Sequence, residues 1–242
     1  MIQALTFDFW CTLYHYEQSP ELLRLQHLRS VLDSAGRTDI SDRQMLLALH
    51  KTWGAWDRVW RGEQQTFGAD EWLRRFLEEL QVMLPEPTFA QTVRKMVEVA
   101  AQIALPVADV VAVLSRLAER YRLGLVSDTG IIPGDGLRAL MARDGLLDYF
   151  SALTFSDEFG RSKPYPTLFS ATLELLNTPP QQAVHIGDLR YTDVGGAQAV
   201  GMRTVRYAGV RDDDTFFYPE ADAVIYKYSE LELLLEAWNS ET

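Results

Sequence analysis

The chain has 242 residues, 47% of them hydrophobic and 24% charged, and 23 Lys and Arg stand against 34 Asp and Glu for a net charge of −11. That length holds one large domain or two small ones, and the composition is that of a globular protein, which excludes disorder and collagen-like structure. So acidic a chain is a poor general partner for nucleic acid or for an anionic membrane surface, because both demand a basic face.

The elements alternate over most of the length. Residues 4–7 (Ala-Leu-Thr-Phe) read as a short buried strand. Residues 14–105 read differently, as almost wholly helical. Ser19-Pro20 is a helix start, with Ser as N-cap and Pro in the first turn, and Ser41 followed by Gln44 is a capping box. Pro85 and Pro87 punctuate this block, and a last amphipathic stretch covers 89–103. Next comes a helical pattern over 107–120, with Val110, Val111, Leu114 and Leu117 on one face. Apolar runs at 123–126, 152–155, 183–186, 204–207 and 223–226 read as strands covered on both faces. Helices are expected at 167–176, 194–200 and 230–238. Alternating strands and helices predict an α/β fold, a doubly wound parallel sheet of Rossmann-like type. The ~90-residue helical block after the first strand is too long for a simple connection. It predicts an inserted all-helical domain at 15–105, with the core formed by 1–14 and 106–242.

Ligands of open parallel sheets bind beyond the carboxyl ends of the strands. Those ends carry Asp8 after the first strand, Ser127-Asp128 after the second, Ser162-Lys163-Pro164 a few residues after the third, and Gly187-Asp188 with Asp193 after the fourth. Each is ordinary on its own: a strand-end Asp is usually a turn residue, and a Lys beside Pro is usually solvated. Together they bring three carboxylates, a hydroxyl and a lysine to one sheet edge. Clustered carboxylates need a cation, and an all-oxygen set suits Mg²⁺. A carboxylate can attack phosphorus, while a hydroxyl and an ammonium neutralise the transferring group.

With these segments in this order, the chain resembles the haloacid dehalogenase (HAD) superfamily, in the branch with a helical cap inserted after the first strand. The resemblance implies a hydrolase with Asp8 as nucleophile and Mg²⁺ ligand, and the backbone carbonyl of Trp10 as a second ligand. It implies that Thr12 holds the nucleophile loop and that Ser127 and Lys163 bind the transferring group, with Asp128 and Trp10 beside the substrate. Asp188 binds the metal directly, and Asp193 binds it directly, through water, or by orienting the loop. It departs from the pattern at Trp10. Most phosphatases of the family carry there a second Asp, which protonates the leaving group, whereas an indole offers one N–H donor and no useful acid or base. Three readings follow: a Mg²⁺-dependent phosphohydrolase of a small phosphorylated metabolite, biased toward good leaving groups or using another donor (Asp128, Tyr14 and His15 are near in sequence); a 2-haloacid dehalogenase, whose halide needs no proton; or a low-turnover module that binds a phosphorylated ligand. Haloacid-cleaving members carry an aromatic at this position, yet they do without Mg²⁺ and usually lack the Gly-Asp pair. The intact Gly187-Asp188 and Asp193 favour the first reading.

The remaining residues of chemical interest take blander expectations. Cys11, the single cysteine, excludes an intrachain disulfide and a Cys-rich zinc site and is expected to pack rather than react. His15, His27, His50 and His185 lack metal-ligand spacing, and Asp212-Asp213-Asp214 reads as a solvated acidic loop. Trp53, Trp56 and Trp60 share a helix face and, with Trp72, are expected to form the insertion's own core or its contact with the sheet domain; a sharper reading has one or two of them line the substrate pocket, with Arg58 and Arg61 nearby to meet an anion. Hinges are expected near 14–16 and 104–107. With no basic leader, no ~20-residue apolar span and a single cysteine, a reducing cytoplasm and no membrane contact are the expectation. Composition does not separate a monomer from a homodimer.

Overall fold

The computed structural model describes residues 1–240; Glu241 and Thr242, the end of the expected core segment, lie outside the described residues. Six parallel strands form the sheet: β1 (Ala4–Phe7), β4 (Arg122–Ser127), β5 (Phe150–Phe155), β6 (Ala183–Gly187), β7 (Arg203–Tyr207) and β8 (Ala223–Ile225), in the order β5-β4-β1-β6-β7-β8. The expected doubly wound parallel sheet is therefore present. The strand order reverses at β1, which is flanked by β4 on one side and β6 on the other. This is the switch point at which such sheets open a crevice.

The two faces of the sheet are packed differently. Successive side chains alternate between faces, so Leu5 and Phe7 join one apolar cluster and Ala4 the other. The first cluster takes in α5 (Val110–Ala118), α6 (Gly134–Arg143) and α10 (Tyr228–Ser240), and the second α8 (Pro166–Leu175) and α9 (Gly195–Ala199). The residues facing α8 are small because the helix lies close: a Cβ on Gly124 would meet Thr172 and Leu176 at 2.9 Å. α6 belongs to the stretch between the second and third strands, where the sequence offered no assigned element.

Four helices, α1 (Pro20–Ser34), α2 (Asp42–Arg58), α3 (Ala69–Glu79) and α4 (Glu86–Gln102), lie between β2 (Tyr14–Tyr16) and β3 (Ala104–Pro106). Both expected starts are in place. The Ser19 hydroxyl accepts from the Leu22 amide, and Ser41 and Gln44 complete a reciprocal capping box. β2 and β3 pair antiparallel, with Tyr14 opposite Pro106 and Tyr16 opposite Ala104. The chain thus leaves and re-enters the sheet domain through a two-stranded ribbon, where the sequence suggested helix edged by hinges. Three-residue strands are too short to show a period of two.

Among the described residues, no helix is long and apolar enough to cross a membrane.

Candidate active site

Strand register sets the geometry of the site. Phe7 pairs with Leu125 on one side and Ile186 on the other. Asp8, one residue further on, therefore stands between the ends of β4 and β6, and its amide donates to the Ile186 carbonyl at 2.8 Å. The chain then folds back on itself, with the Cys11 amide donating to the Tyr14 carbonyl and the Leu13 and Tyr14 amides to the Phe9 carbonyl. Cys11 takes φ +58°, the left-handed region. That backbone is why a glycine or another small residue suits the position. Burial also pushes the Cys11 thiol up to about 11, and neighbouring Asp188 adds to the shift, so the thiol stays protonated and unreactive.

Asp8, Lys163, Asp188 and Asp193 meet in a buried cluster. Lys163 Nζ donates to Asp8 Oδ1 at 2.5 Å and to Asp193 Oδ1 at 2.6 Å. The carboxylates of Asp8, Asp188 and Asp193 each present an oxygen within 4.8 Å of the others. Thr12 Oγ1 donates to Asp8 Oδ2 at 3.4 Å. Asp193 is further fixed by the Leu189 amide at 3.0 Å and by His185 Nε2 at 3.2 Å, while His185 Nδ1 meets Thr6 Oγ1 at 2.8 Å. Gly187 lets Asp193 come this close, because a Cβ there would collide with the Asp193 side chain. Ser127 is buried at the end of β4, and Asp128 accepts from the Lys163 amide at 2.8 Å and from Trp60 Nε1 at 2.7 Å.

The electrostatics follow from burying four charges together. Burial raises Asp8 to about 6, with Lys163 pulling down and Asp193 pushing up. Burial raises Asp188 to about 8, and repulsion from Asp8 and Asp193 adds to it against the pull of Arg211. Burial alone would raise Asp193 too, but Lys163 and His185 outweigh it and hold that carboxyl well below the usual range. Burial alone would lower Lys163, but Asp193, Asp8 and Asp128 outweigh it and keep the ammonium charged. Three hard oxygen donors crowded together, one of them mostly protonated at neutral pH while no cation is present, suit a small divalent cation such as Mg²⁺.

The surroundings revise several expectations. Arg211 forms a charge-paired contact with Asp188, Nε to Oδ2 at 2.7 Å. Arg211 is itself exposed and directly precedes the acidic run 212–214, which is not simply solvated: Asp213 is buried and accepts from the Arg190 amide, and Asp212 pairs with Arg206. Of the three candidate proton donors, Tyr14 gives its hydroxyl to the Leu140 carbonyl and Asp144, and His15 sits in the β2–β3 ribbon. Asp128 alone among them borders the space beside Trp10. Arg58 and Arg61 are exposed, and Arg61 pairs with Asp57. The arginine that enters the cavity is Arg24 of α1, a residue with no sequence motif around it. His185, expected to be packed, is buried and also bonded to Asp193.

Trp53, Trp56 and Trp60 form a continuous ring series at 5.9 and 5.2 Å, and Trp53 lies 5.6 Å from the buried Trp72. Beyond α2 the chain widens into a π-type turn at Val59–Glu63. This turn and the residues after it dock on the core: Trp60 on Asp128, Gln64 O on the Ser162 amide at 2.7 Å, and Thr66 Oγ1 on Ser156 Oγ at 2.8 Å. A larger cavity of about 750 Å³, lined by His27 and Lys95 among others, lies between α1 and α4, away from these carboxylates.

A carboxylate–lysine–carboxylate site at the switch point of a parallel sheet defines a hydrolase of the α/β class. Residues 2–201 match the family model of haloacid dehalogenase-like hydrolases. The chain belongs to that family. It is 28% identical over 208 residues to a glyceraldehyde 3-phosphate phosphatase of Methanopyrus kandleri, covering 85% of this chain and 84% of that one. Its fold superposes with a TM-score of 0.70 on the HAD-hydrolase YfnB of Bacillus subtilis, solved with bound magnesium, at 18% identity and covering 97% of this chain and 99% of that one. It superposes at 0.68 on a 2-haloacid dehalogenase of Pseudomonas syringae, at 23% identity and covering 98% and 100%. It superposes at 0.68 also on a HAD phosphatase of Thermococcus onnurineus, at 24% identity and covering 97% and 98%, so solved enzymes named for both chemistries share the fold.

Proposed function

We propose that the protein is a Mg²⁺-dependent phosphohydrolase of a small phosphorylated metabolite, acting through an aspartyl-phosphate on Asp8. The observation that carries this reading is the buried set of Asp8, Asp188 and Asp193 around Lys163. A haloacid is a monoanion and has no use for three carboxylates poised around a cation. The phosphatase relative from Methanopyrus kandleri supports the same choice.

Asp8 would attack phosphorus through a carboxylate oxygen. The bond from phosphorus to the leaving oxygen breaks, and its electron pair leaves with that oxygen. Lys163 neutralises charge on the phosphoryl oxygens while holding Asp8 in place, and Ser127 Oγ donates to one of them. Thr12 keeps the Asp8 carboxylate from rotating. Water then cleaves the acyl phosphate, which returns Asp8 and releases inorganic phosphate. Asp8, Asp188, Asp193 and the Trp10 carbonyl would hold Mg²⁺, which supplies charge neutralisation for the transferring group. Burial of Lys163 and Asp8 keeps their pairing strong. Trp10 supplies no proton, so alcohols that leave poorly as alkoxides react slowly, and acyl or aryl phosphates are favoured. Asp128, raised to about 6 by burial, is the carboxyl beside Trp10 whose titration is brought toward neutrality. The helical insertion at 15–105 would act as a cap, with the core formed by 1–14 and 106–242, and closure of its Trp60 turn on Asp128 would exclude water during transfer.

Trp10 itself favours a second reading. Its ring stacks on Tyr16 at 4.7 Å beside the nucleophile. An aromatic wall without an acid suits a dehalogenase, in which Asp8 would displace halide from carbon and water would then cleave the ester. Paired release assays separate the two. Phosphate is scored from acyl, aryl and alkyl phosphates, and halide from short 2-haloacids, each with Mg²⁺ and with EDTA. Mg²⁺-dependent phosphate release that disappears in Asp8→Asn is the expected result. Metal-independent halide release overturns it. Ligand-induced stabilisation without product marks a binding module.

A further inference from the structure

A cavity of about 180 Å³ lies between the insertion and the loops after β1 and β4. Trp10, Tyr16, Arg24, Trp53, Trp56 and Asp128 are among its walls. Its chemistry is one-sided. Arg24 is only 4% exposed, and its Nε and Nη1 have no hydrogen-bond partner among the described residues. The guanidinium lies over the rings of Trp53 and Trp72, at 5.3 and 5.0 Å from their centroids. Trp53 Nε1 and Trp56 Nε1 are likewise buried and without an acceptor. Two carboxylates, Glu21 and Asp128, also line the cavity, and each already has a partner. Glu21 accepts from Ser19 Oγ at 3.1 Å, and Asp128 accepts from the Lys163 amide and Trp60 Nε1.

Three side chains at one cavity therefore carry four buried donor nitrogens without a hydrogen-bond partner. Buried donors are normally bonded, and a buried cation without a counter-charge is costly. Stacking on indole faces compensates part of that cost and fixes the plane of the guanidinium. It leaves the in-plane N–H groups free. The aromatic wall formed by Arg24, Trp53 and Trp56 offers unpaired N–H donors, which an acceptor-only anion such as a carboxylate or phosphate would satisfy.

We propose that this cavity is a subsite for a second anionic group of the substrate, a carboxylate or a second phosphate, gripped by Arg24 with the indole N–H groups of Trp53 and Trp56. It rests on the reading of the Asp8 site as one for a phosphorylated substrate, and it narrows that substrate to a compact molecule with a phosphate at one end and an anion at the other. Trp10 is then shared: its backbone belongs to the nucleophile loop and its ring to the wall of the subsite.

The test is calorimetric titration of the full chain, with Mg²⁺ in excess of ligand, using phosphonoacetate, methylenediphosphonate and methylphosphonate. The first two carry a second anion, of the two different kinds, and the third carries none. The wild type is expected to bind at least one of the doubly charged probes tenfold or more tightly than methylphosphonate, and which one identifies the anion. Arg24→Met, similar in length and uncharged, is expected to bring that ratio to about one. Trp56→Phe keeps a ring and removes one donor, and is expected to lower the ratio about threefold; it serves as the test should the arginine variant fail to fold. A ratio near one in the wild type, or one unchanged in folded variants, overturns the inference. So does failure of all three probes to bind. Phosphate release from p-nitrophenyl phosphate, scored on the same wild-type preparation, then tells whether the phosphohydrolase reading falls with it.

Discussion

Asp188 offers a direct measure of the strain stored in the carboxylate cluster. It is buried against Asp8 and Asp193, with Arg211 as its charged partner. In the fold it gives up its proton at about 8, against an ordinary value of 3.8. The fold therefore binds a proton that the unfolded chain has lost between those limits, and stability falls as pH rises through the interval. One pH unit is worth about 1.4 kcal/mol, so the ionised unfolded chain is favoured by about 4 kcal/mol at pH 7 and by less than about 2 kcal/mol at pH 5. Asp188→Asn keeps the shape and removes the charge. In EDTA the variant is expected to be more stable than the wild type by up to about 4 kcal/mol at pH 7, a rise in Tm on the order of 10 °C for a chain of this size. The advantage shrinks at pH 5. Mg²⁺ narrows the gap to about 1 kcal/mol, because a ligand held at about a hundred times its Kd adds about 2.7 kcal/mol to the protein that binds it and the variant lacks one of the three clustered carboxylates. Thermal and urea unfolding at pH 5 and pH 7, with EDTA and with Mg²⁺, supply the four comparisons. An Asn variant less stable than the wild type in EDTA at pH 7, or a difference that does not change with pH, would refute the argument that burial and the neighbouring carboxylates disfavour the Asp188 charge in the fold.

Two other substitutions test neighbouring parts of the site. Trp10→Asp places a carboxyl where the indole stands. The ratio of alkyl to aryl phosphate turnover is expected to rise at least tenfold, within the range of about 10² to 10⁴ that general acid catalysis supplies, at a stability loss of about 2 kcal/mol from the lost stacking on Tyr16 and Phe9. An unchanged ratio in the folded variant means that position 10 does not govern protonation of the leaving group. Gly187→Ala drives a methyl into the Asp193 side chain, so urea unfolding should register a loss of about 1–3 kcal/mol, and Mg²⁺ titration a weaker affinity as Asp193 is displaced. Wild-type values in both measurements would show that the backbone yields instead.

What the sequence revealed and what it hid divide along physical lines. The strands were legible because doubly covered strands are continuous apolar runs, and the strand-end residues were legible because a parallel sheet must bring its carboxyl ends together. Asp8, Lys163, Asp188 and Asp193 meet as that reasoning requires. The β2–β3 ribbon was hidden by its length. Arg211 was hidden by the acidic residues that follow it, although its contact with Asp188 spans 23 positions and no local pattern announces it. Arg24 was the hardest to find. Its neighbours in sequence are those of an ordinary helix, and its unpaired buried donors exist only once Trp53 and Trp72 have closed over it. Arg58 and Arg61 drew attention by standing next to tryptophans in the chain, whereas proximity in space selected Arg24. A burial pattern can be inferred from periodicity; an unpaired donor cannot, because pairing is a property of the packed whole.

Charge counting around the nucleophile distinguishes the two chemistries that share this fold. Lys163, Arg211 and Arg24 bring three positive charges to the region, and Asp8, Asp193, Asp128 and Glu21 bring four negative ones, with Asp188 a fifth when ionised. A phosphate monoester adds about −1.5 to −2 at neutral pH, and a second anion adds more. Such a substrate meets a site of the same sign, and binding is unfavourable until a divalent cation is present. A 2-haloacid adds a single negative charge, which Arg24 alone can answer. Affinity for phosphonoacetate should therefore fall steeply when Mg²⁺ is replaced by EDTA, while affinity for a short haloacid should change little. Equal dependence on the metal for both ligands would mean that the cluster at Asp8, Asp188 and Asp193 is not what selects the substrate, and the case for phosphorus over carbon would lose its main support.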